Sequence, residues 1–175
     1  MSSKRILIIS ADKFEDTELL CPMNRLLEEG CSVDVASFDK GRIKGKKGYT
    51  VDANLALEDL PEDPAAAYDL LLLPGGKAPA KLRRDARVLK AAESFDKAGK
   101  PVAAICHAPQ ILISAGLMKG RRATSYEAVA DELKEAGAIY EDTEVVVDGN
   151  YIFSRHPGDI PAFNREIMRK LKKGE

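Results

Sequence analysis

Apolar residues along the chain arrive in two rhythms. Three short stretches are apolar almost throughout: RILIIS (5–10), DLLLLP (69–74) and PVAAIC (101–106). A short apolar run of this kind fits a strand buried on both faces, as a parallel sheet requires. SVDVAS (32–37) alternates and also predicts a strand. Between the runs lie helical patterns. Residues 17–29 place Leu19, Leu20, Met23, Leu26 and Leu27 on one stripe, and Gly30 stops it; residues 85–98 do likewise and end at Gly99. VVVDGNYIFS (145–154) predicts two strands around an Asp148-Gly149-Asn150 turn. Near the C-terminus, GDIPAFNREIMRKLKKG carries Asp159 as a candidate N-cap and a basic last turn, which suits the helix dipole.

The order is strand, helix, strand, hairpin, strand, helix, strand, helix, helix, hairpin, helix. Such alternation predicts an α/β sandwich with a mostly parallel central sheet. LEDLPEDPAAA (57–67) is the most irregular stretch and predicts a connection within one domain. No internal repeat or linker interrupts the chain, so residues 1–175 are expected to form a single domain.

Charge and cysteine content narrow the function. A net charge of -1 provides no field for nucleic acid or an anionic membrane surface, and neither partner is expected. The one dense basic stretch, KGRIKGKKG (40–48), fits either a solvated hairpin with Gly turns or a phosphate or nucleic-acid site. Cys21, Cys31 and Cys106 form no CxxC and have no metal-ligand spacing with the two histidines, so no metal is expected. Sparse cysteines without a targeting segment or an apolar span of about 20 residues predict a reducing, cytoplasmic setting.

In parallel sheets ligands collect at the carboxyl ends of strands. Three such ends, at residues 10–18, 74–77 and 106–109, hold the most suggestive chemistry. Cys106 sits at a strand-to-helix turn, where a nucleophile is pushed out of the sheet. The following helix, with Pro109 in its first turn, aims N–H groups and a dipole at the sulfur and predicts a lowered thiol pKa; a thiol that merely packs is the other reading. His107 is adjacent. Its ring need not converge on the sulfur, but its backbone N–H lies where an oxyanion on Cys106 would form. Gly75-Gly76 lets the backbone approach a ligand and offers a second N–H, or is a plain turn. In DKFEDTEL, Glu15, Asp16 and Glu18 follow the first strand. Asp16 or Thr17 can cap the helix. Glu18, if turned inward, would have a raised pKa and could move a proton between the sulfur and a substrate.

Together these pieces resemble the ThiJ/PfpI family, in its PfpI-like branch, within the class I glutamine amidotransferase-like fold. The carriers are FEDTEL (14–19), GKKGYTV (45–51), LLLPGGKAP (71–79), AAICHAPQILISAG (103–116), GRRATSY (120–126), EVVVDGN (144–150) and SRHPGDIPAF (154–163). The resemblance implies a flavodoxin-like three-layer sandwich with the cysteine at a nucleophile elbow. It implies symmetric homo-oligomers, dimers or hexamers made of dimers. It also implies a reactive Cys106, a carboxyl partner at Glu18, an oxyanion site at the backbone of Gly76 and His107, and a pocket bordered by Glu15, Tyr126 and Pro157, with Arg155 and His156 beside Pro157.

Two departures bear on activity. Ala108 stands where the branch reads glycine after Cys-His. Ala80 stands where the branch's proposed peptidase triad takes an acid from the neighbouring subunit, and a triad without its orienting acid is a poor peptidase. The activity the resemblance then implies is glutathione-independent action on reactive dicarbonyls or early glycation adducts. It needs no metal and no organic cofactor, with a small carbonyl compound or a glycated amine or thiol as substrate. A stress-linked redox sensor acting through Cys106 oxidation uses the same residues.

Overall fold

The structure is a computed structural model describing residues 3–174. In chain order its elements are β1 (Arg5–Ile9), α1 (Asp16–Glu28), β2 (Ser32–Ser37), β3 (Gly41–Lys44), β4 (Thr50–Ala53), β5 (Leu55–Ala56), α2 (Pro64–Ala67), β6 (Leu70–Leu73), α3 (Ala78–Leu82), α4 (Ala86–Ala98), β7 (Val102–Ile105), α5 (Pro109–Ser114), β8 (Arg122–Ala123), α6 (Ala130–Glu135), β9 (Ile139–Tyr140), β10 (Val146–Asp148), β11 (Tyr151–Ser154) and α7 (Ile160–Lys173). Seven strands form the central sheet in the order β10-β11-β7-β6-β1-β2-β5. All neighbours run parallel except the β10–β11 hairpin. The three continuously apolar runs are β1, β6 and β7, which lie side by side in the middle; every residue of β6 and β7, and all of β1 but Arg5, is buried. Helices α1 and α7 pack on each other over one face, and α4, flanked by α2 and α5, covers the other. This is the three-layer, flavodoxin-like sandwich that the alternation and the resemblance predict.

The direction of the chain reverses between β1, which leads to β2 on one side, and β6, which lies on the other. Open α/β sheets bind ligands at such a switch point, beyond the carboxyl ends of the strands. The loops after β1, β6 and β7 meet there.

Several local expectations are corrected. Neither Asp16 nor Thr17 caps α1; Glu15 holds the N-cap position and makes no side-chain cap bond. The buried Asp16 carboxylate instead accepts the amides of Lys47 (2.9 Å) and Tyr49 (3.0 Å), pinning the turn between β3 and β4 onto the start of α1. Gly45 is required by this contact, because a Cβ there would lie 2.5 Å from the Asp16 carboxyl. Asp159 precedes α7 but makes no cap bond; its carboxylate accepts from the Arg155 backbone and guanidinium at 2.9–3.0 Å. Pro22 lies within α1, where its missing N–H leaves the Glu18 carbonyl without its helical donor. The two-residue strands β5, β8 and β9 carry no sequence period of their own and were not expected.

Candidate active site

Cys106 follows β7 with φ of 65°, one of two non-glycine residues among those described, with Lys13, in the left-handed region. That conformation costs an L-residue on the order of 1–3 kcal/mol and is held only by surroundings that over-determine it. Three backbone bonds do so: the Cys106 amide donates to Ser154 of β11 (3.0 Å), the Tyr126 amide donates to the Cys106 carbonyl (3.0 Å), and the Ala108 amide donates to Ile105 (3.1 Å). The side chain is thereby turned out of the strand at the start of α5, the geometry of a nucleophile elbow. Ala108 has ordinary helical angles (φ -59°) and is fully buried, so nothing at this position requires the family's glycine.

The loops after β1 and β6 are zipped together beside the sulfur. Phe14 and Gly76 form an isolated antiparallel bridge, the Glu15 amide donates to Gly75 (3.2 Å), and the Lys77 amide donates to Lys13 (2.9 Å). Gly76 adopts φ of 86°, and a Cβ on it would lie 2.4 Å from the Glu15 nitrogen. The backbone amides of Gly76 and His107 both act to lower the Cys106 thiol pKa.

Glu18, in the first turn of α1, is fully buried and reaches the same place. Its Oε1 accepts the Gly75 amide at 3.1 Å, while its buried Oε2 has no hydrogen-bond partner among the described residues. Cys106 and the charge of Lys46 also act on the carboxyl, each lowering its pKa against the effect of burial. Burial, helped by the nearby charge of Glu15, raises the Glu18 pKa to about 8. The Cys106 thiol is pushed up to about 12, first by burial and then by the Glu18 charge, against the pull of the Gly76 and His107 amides. The lowered thiol pKa expected from the helix is thus overturned. Helix α5 has only six residues, and its terminus is outweighed by desolvation and an adjacent carboxylate. Both acids therefore keep their protons through the neutral range, and above about pH 8 Glu18 ionises first.

Gly75 makes that pairing possible. A Cβ on it would lie 2.5 Å from Glu18 Oε1 and 2.7 Å from the Cys106 Cβ. Gly75→Ala is expected to push the two groups apart, cost about 1–3 kcal/mol of stability, and reduce any Cys106-dependent turnover at least tenfold. Denaturant unfolding beside activity assays checks both.

The His107 ring turns toward the sulfur, with Nδ1 at 3.2 Å from Sγ, and its face lies on Tyr126 with ring centroids 4.9 Å apart. Burial first, and the positive charge of Lys46 second, hold its pKa below the ordinary histidine value, so the ring is neutral at neutral pH. Among the described residues no carboxylate bonds the His107 ring. Ala80 is an exposed residue of α3, and the Asp85 carboxylate is occupied by the Arg87 amide and guanidinium at 2.7–3.0 Å.

Glu15 stands at the rim, paired with Lys46 at 3.2 Å. Lys46, from the basic stretch after β3, was missed as a site residue. Its signal was the GKKGYTV segment, whose charges a single chain pattern cannot distinguish from a solvated turn. Pro157 lies exposed in a one-turn 3-10 segment that Ser154 brings near the elbow, and none of the described bonds joins it to the sulfur. The His156 ring is turned into its own loop, where Nδ1 accepts the Gly158 amide at 3.1 Å. Cys21 is exposed on α1 and Cys31 is buried after it, and none of the described hydrogen bonds joins either thiol to Cys106 or Glu18. Among the described residues no group of three or more histidine, cysteine or acidic side chains is arranged to hold a metal ion, and no helix is long and apolar enough to cross a membrane.

Sheet order and site together define an α/β sandwich with a thiol at a strand-to-helix elbow and a buried carboxyl beside it. The chain belongs to the DJ-1/PfpI family, whose sequence model matches residues 4–170. It is 52% identical over 168 residues to a deglycase of Pyrococcus abyssi, covering 96% of this chain and 99% of that one. It is 49% identical over 168 residues to the deglycase PfpI of Pyrococcus furiosus, with the same coverage of 96% and 99%. Among solved structures, a two-domain protein of Anabaena variabilis containing DJ-1/ThiJ/PfpI-like and ferritin-like domains matches with a TM-score of 0.93 and 36% identity, over 97% of this chain and 48% of that one. This chain therefore spans about half of that protein.

Proposed function

We propose that the chain is a cysteine-dependent, cofactor-free hydrolase or lyase acting on reactive dicarbonyls such as methylglyoxal and glyoxal, and on early glycation adducts of amines and thiols. The observation that carries this reading is a strained elbow thiol, Cys106, and a fully buried carboxyl, Glu18, meeting at Gly75, where a Cβ would lie 2.7 Å from the Cys106 Cβ and 2.5 Å from Glu18 Oε1. The deglycase names of relatives near 50% identity support the same class of reaction.

Each group has a step to perform. His107, a neutral ring with Nδ1 3.2 Å from Sγ, takes the thiol proton as Cys106 attacks the aldehyde carbon and passes it to the carbonyl oxygen, forming a hemithioacetal. The Gly76 and His107 amides, which stabilise charge on the sulfur, then stabilise charge on the substrate oxygen. Glu18 in its ionised form, which a pKa of about 8 leaves accessible near neutral pH, removes the proton from the former aldehyde carbon and returns it to the neighbouring carbonyl carbon through an enediol. The first carbon is thereby oxidised to a thioester and the second reduced to an alcohol, so no external oxidant enters. Water cleaves the thioester to a 2-hydroxy acid and restores the thiol. With an adduct, the amine or thiol departs instead. The Cys106–His107 contact could also serve peptide cleavage, but the absence of an acid on His107 among the described residues weighs against a peptidase.

The test is incubation with methylglyoxal, free of metal and glutathione, with lactate quantified, beside preformed adducts of N-acetylcysteine and N-acetyllysine. Lactate accumulation over many equivalents is expected. Adduct loss is expected to outrun spontaneous dissociation. If adducts disappear only as fast as they dissociate unaided, the protein acts on the free dicarbonyl alone. If neither free dicarbonyl nor adduct is consumed catalytically, the proposed function is wrong.

A further inference from the structure

The chemistry above leaves most of the basic stretch at 40–48 unused. In the fold that stretch does not stand alone. Lys44 and Lys46 from the β3–β4 turn, Lys13 from the loop after β1 and Lys77 from the turn after β6 line one cavity of about 480 Å³, completed by Asp12 and Gly45. Backbone bonds place these lysines, so their convergence does not depend on flexible side chains alone. The Lys77 amide donates to Lys13 (2.9 Å), the Lys13 amide to Lys44 (2.7 Å), and the Lys46 amide to Phe14 (2.9 Å). Lys13 holds φ of 68° to make its two bonds; it shares the left-handed region with Cys106 alone among the described non-glycine residues. Strain of this kind gathers at functional sites.

The charges do not cancel. Lys46 pairs with Glu15 at 3.2 Å. The Asp12 carboxylate is engaged by the Lys44 amide at 2.9 Å. Among the described residues, Lys13, Lys44 and Lys77 have no carboxylate at ion-pair distance. Four ammonium groups face two carboxylates, Asp12 and Glu15, leaving two positive charges in a chain whose net charge is -1. Holding like charges together is unfavourable unless an anion joins them. The loops that line the cavity also hold the reacting group. Lys77 lies two residues after Gly75, where a Cβ would fall 2.7 Å from the Cys106 Cβ, the charge of Lys46 acts on His107, and Lys46 is tied to Glu15, three residues before Glu18.

We propose that this cavity is a phosphate subsite, binding the phosphomonoester of a phosphorylated dicarbonyl or phosphorylated amine adduct while its carbonyl carbon reacts at Cys106. The substrate class rests on the dicarbonyl reading above. A phosphomonoester carries close to two negative charges and three acceptor oxygens, matching the two uncompensated charges and the several donors. A polynucleotide offers one charge per phosphate and calls for a longer basic strip, which a chain of this charge balance does not supply.

The test has a binding arm and a turnover arm. Inorganic phosphate is titrated calorimetrically, at constant ionic strength, into the wild type, Cys106→Ala and the double variant Lys44→Gln/Lys77→Gln. Equal binding to the first two and at least about tenfold weaker binding to the third is expected. Methylglyoxal adducts of ethanolamine and phosphoethanolamine are then compared. The wild type is expected to favour the phosphorylated adduct in kcat/KM by about tenfold. The double variant, folded by its melting curve, is expected to lose that preference while keeping the ethanolamine rate. Absence of phosphate binding, or binding unchanged in the double variant, overturns the proposal. So does tighter binding of a single-stranded oligonucleotide at equal phosphate concentration. Lysine-dependent phosphate binding with no turnover of either adduct would uphold the subsite and reject the dicarbonyl reading, so the two failures are distinguishable.

Discussion

Cys106→Ala is expected to lower methylglyoxal turnover by about 10⁴-fold or more while leaving the protein folded. The activity loss follows because nothing else in the cluster can form the covalent intermediate: Glu18 is a buried acid with its proton held to about pH 8, and His107 is a neutral ring resting on Tyr126. The folded state survives because alanine tolerates φ of 65° no worse than cysteine does, and the three backbone bonds that enforce it involve no side chain. Removal of one buried sulfur costs about 1 kcal/mol. Cys106→Ser keeps a hydroxyl beside Glu18 and is expected to be equally inactive, since a serine hydroxyl does not ionise here. Activity persisting in either variant would place the nucleophile elsewhere.

Glu18→Gln is expected to reduce turnover by about 10²–10⁴-fold and, in the same protein, to raise stability at alkaline pH. Unfolded, Glu18 releases its proton near pH 4.5; folded, it keeps it to about 8. Below pH 4.5 both states hold the proton and the group costs nothing. Between 4.5 and 8 the folded state binds the extra proton, so wild-type stability falls as pH rises, and it levels off above. Glutamine keeps an oxygen for the Gly75 amide and removes the charge. The variant is therefore expected to gain on the order of a few kcal/mol over the wild type between pH 5 and pH 8, read by urea unfolding at both. A second reading separates proton relay from thiol reactivity. Loss of the carboxylate removes the larger of the two charges that raise the Cys106 pKa alongside burial, so iodoacetamide should alkylate Cys106 of the variant faster at pH 9 even as turnover collapses. A slower alkylation in the variant would show that Glu18 helps to ionise the thiol.

The parts legible in the chain and the parts that were not differ for physical reasons. RILIIS, DLLLLP and PVAAIC marked β1, β6 and β7 because an inner parallel strand is apolar on both faces, and such a run survives without tertiary information. Gly30 and Gly99 marked the ends of α1 and α4 because both take left-handed angles there, at φ of 83° and 64°. Asp16 misled, since an acid at a helix start has the same pattern whether it caps the helix or anchors a distant turn; only the fold brings Lys47 and Tyr49 to it. The thiol pKa misled because a helix terminus is visible in sequence and burial is not. The His107 ring direction depends on Tyr126, nineteen positions away, and the lysine cavity depends on three loops meeting. These features arise from tertiary contacts, where local patterns carry no signal.

The central claim is that Cys106 turns over substrate and is not merely modified by it. The most direct measurement follows lactate and the intact mass of the protein in one sample exposed to excess methylglyoxal. The account predicts many equivalents of lactate per protomer while Cys106 remains an unmodified thiol. A single equivalent of adduct or oxidised sulfur on Cys106, with no lactate, would contradict it and assign the thiol to sensing.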